Sequence, residues 1–205
     1  MNLRTRVGLH LAACAAAATV AGSSSAAIVW SGIVNINIPS NIDGVYLNVV
    51  TGQSGTSGSA VAGWDVNPYS ATTLTWFAST GGGSARGGGS SATLVDNLAF
   101  GTVIGSGLSY GSGSVETTGA TAFILNSDQN LVGFRFVNGS GAGATTHYGW
   151  MRIQVSGTLS AQPRAIVEYA YESDANGSIT AGTIPAPGAV ALLGLAGLVG
   201  RRRRA

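Results

Sequence analysis

The sequence predicts an all-β fold, an antiparallel β-sandwich or jelly roll, and three observations carry that reading. Glycine supplies 32 of 205 residues and charged residues only 9%, against usual shares of ~7% and ~25%. Short runs alternate apolar and polar side chains with period two, and Gly, Ser and Asn clusters separate them. No run longer than a helical turn holds a 3.6-residue period. This is the composition of a turn-rich, weakly charged β protein.

The elements follow in order. Val34-Asn35-Ile36-Asn37-Ile38 alternates apolar side chains with asparagine until Pro39 ends it. Val45, Leu47 and Val49 alternate with Tyr46, Asn48 and Val50, and Leu74 and Trp76 with Thr73, Thr75 and Phe77. Phe123-Ile124-Leu125 reads as a short buried run. Val132, Phe134 and Phe136 take one face and Arg135 the other; Met151, Ile153 and Val155 oppose Trp150, Arg152 and Gln154. Val167, Tyr169 and Tyr171 oppose Glu168, Ala170 and Glu172. Two stretches break the rhythm. Residues 80–92, nearly all Gly and Ser, have no side chains to hold a packed surface and read as a mobile loop. Residues 105–113 read as a turn-rich connection. The body is one domain, residues 28–183, because neither half has enough apolar strands for its own core.

Charge and residue types narrow the chemistry. All ten basic residues are arginine, and six of them lie in the end segments. Arg86, Arg135, Arg152 and Arg164 remain in the body against all eight carboxylates, which leaves it at −4. Four scattered arginines make no basic patch, so no nucleic-acid partner is expected. Without lysine there is no Schiff base, P-loop lysine or Ser-x-x-Lys pair. Cys14, the one cysteine, precedes the body, so the body has no disulfide, thiol nucleophile or cysteine metal site.

His147 is the body's one histidine and reads as a packed strand-entry residue beside Tyr148 and Trp150. No Gly-x-Ser-x-Gly elbow accompanies it, and one histidine without cysteine makes no histidine-based zinc site. Glu168 and Glu172 share a strand face, but four residues place them ~13 Å apart. Glycosidase carboxylates need ~5–5.5 Å or ~6.5–9.5 Å. Either glutamate facing Arg152 across strands is the ordinary use. Asp174-Ala175-Asn176-Gly177-Ser178 has the oxygens of a calcium loop, but reads better as a hairpin turn with Asn176 and Gly177 at positive φ. Trp64, Asp65, Asn67 and Tyr69 offer an aromatic face with oxygen ligands, a candidate sugar contact; the alternative is a loop packed by Trp64. No catalytic residue, metal or cofactor is expected.

The ends read as addresses. In residues 1–27, Arg4 and Arg6 precede an alanine-rich apolar stretch and the small residues Ser24, Ser25, Ala26 and Ala27, a signal peptide. A lipobox at Leu11-Ala12-Ala13-Cys14 is the rival, weakened by the alanines that run past it. Residues 184–205 begin Ile184-Pro185-Ala186-Pro187-Gly188, continue apolar to Gly200 and carry Arg201, Arg202, Arg203 and Arg204. Seventeen apolar or small residues, 184–200, meet the lower limit for a membrane-spanning helix. The positive-inside rule holds the arginines in the cytoplasm while the body is exported.

Pro-x-Pro, apolar helix and arginine cluster, in that order, resemble the PEP-CTERM sorting signal of Gram-negative bacteria. Pro185, Ala186, Pro187 and Gly188 match the motif, with Ala186 where the name-giving motif has glutamate; Arg201, Arg202, Arg203 and Arg204 match the membrane-side tail. The resemblance implies an exosortase and the membrane as transient partners, and an exopolysaccharide as a possible one. It also implies a precursor held at the inner membrane and a product at the cell surface or outside. In the body, residues 43–52, 63–69, 147–152, 168–172 and 179–182 resemble segments of extracellular β domains of PEP-CTERM proteins, a group that implies no catalytic residues. The leading expectation is a non-catalytic envelope or extracellular-matrix protein. The alternatives are a secreted lectin-like carbohydrate-binding module and, behind it, a secreted hydrolase.

Overall fold

The computed structural model describes residues 27–79, 83–86 and 94–185, residues 83–86 by their backbone. The signal peptide but for Ala27, the Cys14 lipobox and most of the 80–92 stretch lie outside these residues. So do Ala186, Pro187, Gly188, Arg201, Arg202, Arg203 and Arg204.

In chain order the strands are β1 (Ile28–Trp30), β2 (Ile36–Asn37), β3 (Tyr46–Leu47), β4 (Ser54–Gly55), β5 (Val66–Tyr69), β6 (Thr75–Ala78) and β7 (Gly83–Arg86). They continue with β8 (Val103–Ile104), β9 (Ser109–Gly111), β10 (Gly113–Ser114), β11 (Ser127–Asn138), β12 (Thr145–Val155), β13 (Ala165–Glu172) and β14 (Ile179–Thr180). All pair antiparallel. A seven-stranded sheet runs β1-β13-β12-β11-β7-β9, with β2 also on β13; a five-stranded sheet runs β10-β6-β5-β3-β4; and β14 pairs with β8. Helix among the described residues is limited to the 3-10 turns Gly58–Ala60 and Gly141–Gly143, and none is long and apolar enough to cross a membrane. The fold is all-β.

Alternation sets the core. Val132, Phe134 and Phe136 of β11, Met151, Ile153 and Val155 of β12, and Ile166, Tyr169 and Tyr171 of β13 join Leu47, Val66 and Trp76 from the five-stranded sheet, and Leu74 just before β6, in one buried cluster. Each large side chain removed from water there contributes about 1.5–3 kcal/mol. The opposite face of β11–β13 is covered as well. Tyr148, Trp150, Leu131 and Ala170 pack with Ile104, Ile179, Ala181 and Leu98. The long sheet is thus apolar on both faces along its centre, which is why Trp150 is as buried as Met151.

Several expectations need correction. Strand pairing in Val34–Ile38 is confined to β2, because Asn35 adopts a left-handed conformation (φ +48°). Phe123 is buried, but Ile124 and Leu125 are 55% and 45% exposed. The side chain of buried Asn130 accepts the Ile124 N–H at 2.6 Å and donates to its carbonyl at 3.0 Å, pinning that segment outside any sheet. Gly83–Arg86, inside the glycine-rich stretch, is a strand between β11 and β9, since pairing uses backbone groups that Gly and Ser supply as well as any residue. Residues 105–113 likewise contain β9 and the start of β10. The 174–178 segment is a turn, with Gly177 N–H donating to the Asp174 carbonyl at 3.0 Å, but not a hairpin: β14 pairs with β8 and not with β13. Only Asn176 of the two corner residues has positive φ.

Candidate functional site

Two clefts gather the polar and aromatic side chains that the core leaves over. The first, of about 710 Å3, opens beside the five-stranded sheet and is walled by Gly58, Val61, Trp64, Asp65, Phe77 and Ser79, with Val137 from the end of β11 and Ser140 and Ala144 from the β11–β12 connection. Trp64 stands edge-on to Tyr46 (centroids 5.1 Å, 75°) and tilted on Phe77 (6.0 Å). Gly58 permits that arrangement, since a Cβ there would lie 3.0 Å from both the Trp64 and Tyr46 rings. Phe77 is 50% exposed, because alternation with buried Leu74 and Trp76 sends it outward.

Asp65 is 5% exposed. Its Oδ2 accepts the Val49 N–H at 2.8 Å, while its backbone is tied to Leu47 and to the Ser79 hydroxyl. Burial raises its pKa from 3.8 to about 6, and the Val49 hydrogen bond offsets only part of that. A perturbed carboxyl in an aromatic cleft is the pattern of a general acid. Glycoside hydrolysis needs a second carboxylate nearby. Among the described residues walling this cleft, Asp65 is the only ionisable one.

The structure therefore brings together two of the four sugar-contact candidates. Trp64 and Asp65 share the cleft; Asn67 and Tyr69 are not among its walls. Asn67 is buried, and its amide donates to the Asp43 and Val45 carbonyls at 2.8 and 3.0 Å, which joins β5 to the approach to β3. Tyr69 backs onto Gly44 (φ +60°), where a Cβ would come within 2.5 Å of the Tyr69 backbone. Phe77 and the 139–144 turn complete the cleft. The outward phase of Phe77 was readable in the sequence; the arrival of the turn was not.

The second cleft, about 540 Å3, lies on the outer face of the long sheet. Leu98, Phe100, Ile124, Leu131, Trp150 and Gly182 give it an apolar floor and rim, and Arg152, Glu168 and Gln129 a polar wall. Arg152 Nε donates to Glu168 Oε1 at 2.7 Å and Nη1 to Asp128 Oδ2 at 2.8 Å. Trp30 Nε1 donates to Glu168 Oε2 at 2.8 Å. The Gln129 amide, followed by the Arg152 guanidinium, holds the Asp128 carboxyl below its ordinary range, although desolvation acts against them. Arg152 and Glu168 are cross-strand partners, as the sequence suggested.

The remaining candidates are structural. His147 is buried, stacked on Phe136 (5.3 Å, 23°), with Nδ1 on the Glu172 carbonyl and Nε2 on Thr145 Oγ1, both at 2.9 Å. It lies on the core face, opposite Tyr148 and Trp150. Glu172 accepts the Asp174 N–H at 2.9 Å and closes the following turn. No group of three or more metal-ligating residues occurs among the described residues. Trp150 Nε1 donates to the Thr183 carbonyl at 3.0 Å, and Pro185, two residues on, is exposed. Comparison with known proteins finds no matching family model, curated protein or solved structure.

Proposed function

We propose that this chain is an exported, non-catalytic protein of the cell envelope or extracellular matrix, sorted through its C-terminal PEP-CTERM-like signal by an exosortase. The supporting observation is the exposure of Pro185 beside an anchored Thr183. Thr183 is the last described residue in a hydrogen bond, held by Trp150 and Thr180, and Pro185 stands exposed beside it. A processing enzyme would meet Pro185, the first residue of the motif, without opening the fold. The precursor is held at the inner membrane, and the product goes to the cell surface or outside. We read the two larger sheets as the halves of a sandwich of jelly-roll kind, because one buried cluster draws on both. Replacing the tail by Arg201→Ser, Arg202→Ser, Arg203→Ser and Arg204→Ser together should make unprocessed precursor the dominant form in fractionated cells. Unchanged processing and surface retention would overturn the reading.

A second reading, carbohydrate binding by the exported domain, rests on the Trp64 cleft. Trp64 and Phe77 offer partly exposed ring faces, and Asp65, Ser79 and Ser140 offer oxygens beside them. On a glycan array Trp64→Ala should lose binding at least tenfold and Tyr69→Ala should keep it. Equal losses from both variants would place the contact elsewhere. A hydrolase has the least support, since Asp65, whose pKa is raised, has no carboxylate partner among the described residues of its cleft.

A further inference from the structure

We infer that the end of the domain bearing Phe100, Val103, Ile124, Leu125 and Ile184 is a membrane-apposed face, which rests on the lipid bilayer surface while the C-terminal segment is in place. The inference rests on the reading of residues 184–200 as a membrane segment that is inside the bilayer by Gly188 at the latest, and adds an orientation and a lipid contact to it.

The tether is short. The Thr183 carbonyl is fixed by Trp150 Nε1, and Trp150 is 1% exposed in the central strand β12, so the exit point cannot swing. Residues 184–187 are all that separate Thr183 from Gly188. Fully extended, the step from Thr183 to Gly188 spans at most about 18 Å. The polar interface on each side of a bilayer occupies roughly 5–8 Å of that reach. The exit face of the domain is thereby confined to within about 10 Å of the headgroups.

That face is apolar. Twelve large apolar side chains are exposed among the described residues, and these five are among them, at 78% for Phe100, 62% for Val103, 55% for Ile124, 45% for Leu125 and 46% for Ile184. They surround the exit. The Phe100 ring lies against Gly182, where a Cβ would be 2.5 Å from it; Val103 pairs with Thr180; and Ile124 walls the same cleft as Phe100 and Gly182. The charged residues of that cleft, Arg152 and Glu168, are paired with each other, and Arg152 also with Asp128. With the body at −4 and no basic cluster on it, attachment is apolar, and salt should leave it unchanged.

The test uses the full chain with Cys14→Ser, which carries no other cysteine. Single substitutions Phe100→Cys, Ile124→Cys and Ile42→Cys each receive a fluorophore, and the chains are reconstituted in phosphatidylcholine vesicles with and without a headgroup-labelled quencher lipid. Ile42, 79% exposed in the turn before β3 of the other sheet, is the reference. Quenching at positions 100 and 124 should exceed that at position 42 at least threefold and persist in high salt. Flotation with the vesicles but equal quenching at all three positions would overturn the lipid contact and leave the sorting reading intact. Failure to float would overturn both. An apolar shift at 100 and 124 that needs no lipid would assign the face to the chain's own tail or to a second copy, and would equally overturn the inference.

Discussion

At the scale of single residues, the buried charges show how this chain compensates for few ion pairs. Arg164 is fully buried without a carboxylate: Nε, Nη1 and Nη2 donate to the carbonyls of Ile38, Thr73, Leu159, Pro39 and Ser70 at 2.6–3.2 Å. All five guanidinium N–H groups are satisfied, so one side chain joins three loop segments. Burial lowers its pKa, but a guanidinium stays protonated. Asp65 is the opposite case, a carboxyl held at a cost. Its folded pKa of about 6 stands above the ordinary 3.8, so between those values the folded protein binds more protons than the unfolded chain. Its contribution is fully present below pH 3.8 and is lost as pH rises through about 6. The loss is at most about 3 kcal/mol. Asp65→Asn keeps an acceptor for the Val49 N–H and removes the charge. In urea unfolding the variant should be more stable than the parent at pH 7.5 by up to that amount and equal to it below pH 4. A difference independent of pH would show that the carboxyl is not desolvated.

At the scale of elements, what the sequence reveals depends on whether side chains or backbone define a strand. In β11 and β12 a period of two places Val132, Phe134, Phe136, Met151, Ile153 and Val155 on the main core face, as the structure shows, while Leu131, Tyr148 and Trp150 are buried on the opposite face. β7 carries no such signal: Gly, Ser and Ala contribute pairing groups but no pattern. Phase slips are equally silent. Arg152 faces Glu168 and Ile153 faces Ile166, so β13 has a bulge at Val167. Without it Ile166 and Glu168 would lie on one face of the sheet. With it Ile166 enters the main core while Glu168 reaches Arg152 and Trp30 on the other side. The Val167 carbonyl is then free to accept the Val34 and Asn35 N–H groups, at 2.8 and 3.2 Å. Strict alternation of Val167, Tyr169 and Tyr171 is correct for the two tyrosines and fails at the bulge. The candidate site was legible to the same extent. Trp64, Asp65 and Phe77 could be placed by local pattern, whereas the 139–144 turn that closes their cleft comes from a hairpin distant in sequence.

At the scale of the whole molecule, the question is whether the body and its C-terminal address are separable. The body is net negative and the tail cationic, and hydrogen bonds among the described residues stop at Thr183. The rival is a tail that packs into the domain as a core helix. The two arrangements differ in what a truncation removes. If the tail is an address and not part of the core, ending the chain after Pro185 should leave the urea midpoint of the domain unchanged. Ending it after Ser178 removes Ile179 and Ala181, 3% and 0% exposed, and the acceptor of Trp150 Nε1. Losing the buried isoleucine costs about 1.5–3 kcal/mol, and an indole N–H left buried without a partner costs a further 1–3 kcal/mol, approximately. The shorter chain should therefore lose at least about 2.5 kcal/mol, a large part of the 5–15 kcal/mol typical of a folded domain. If the longer truncation product loses a comparable amount, the tail belongs to the core. Its apolar run would then be fold and not address.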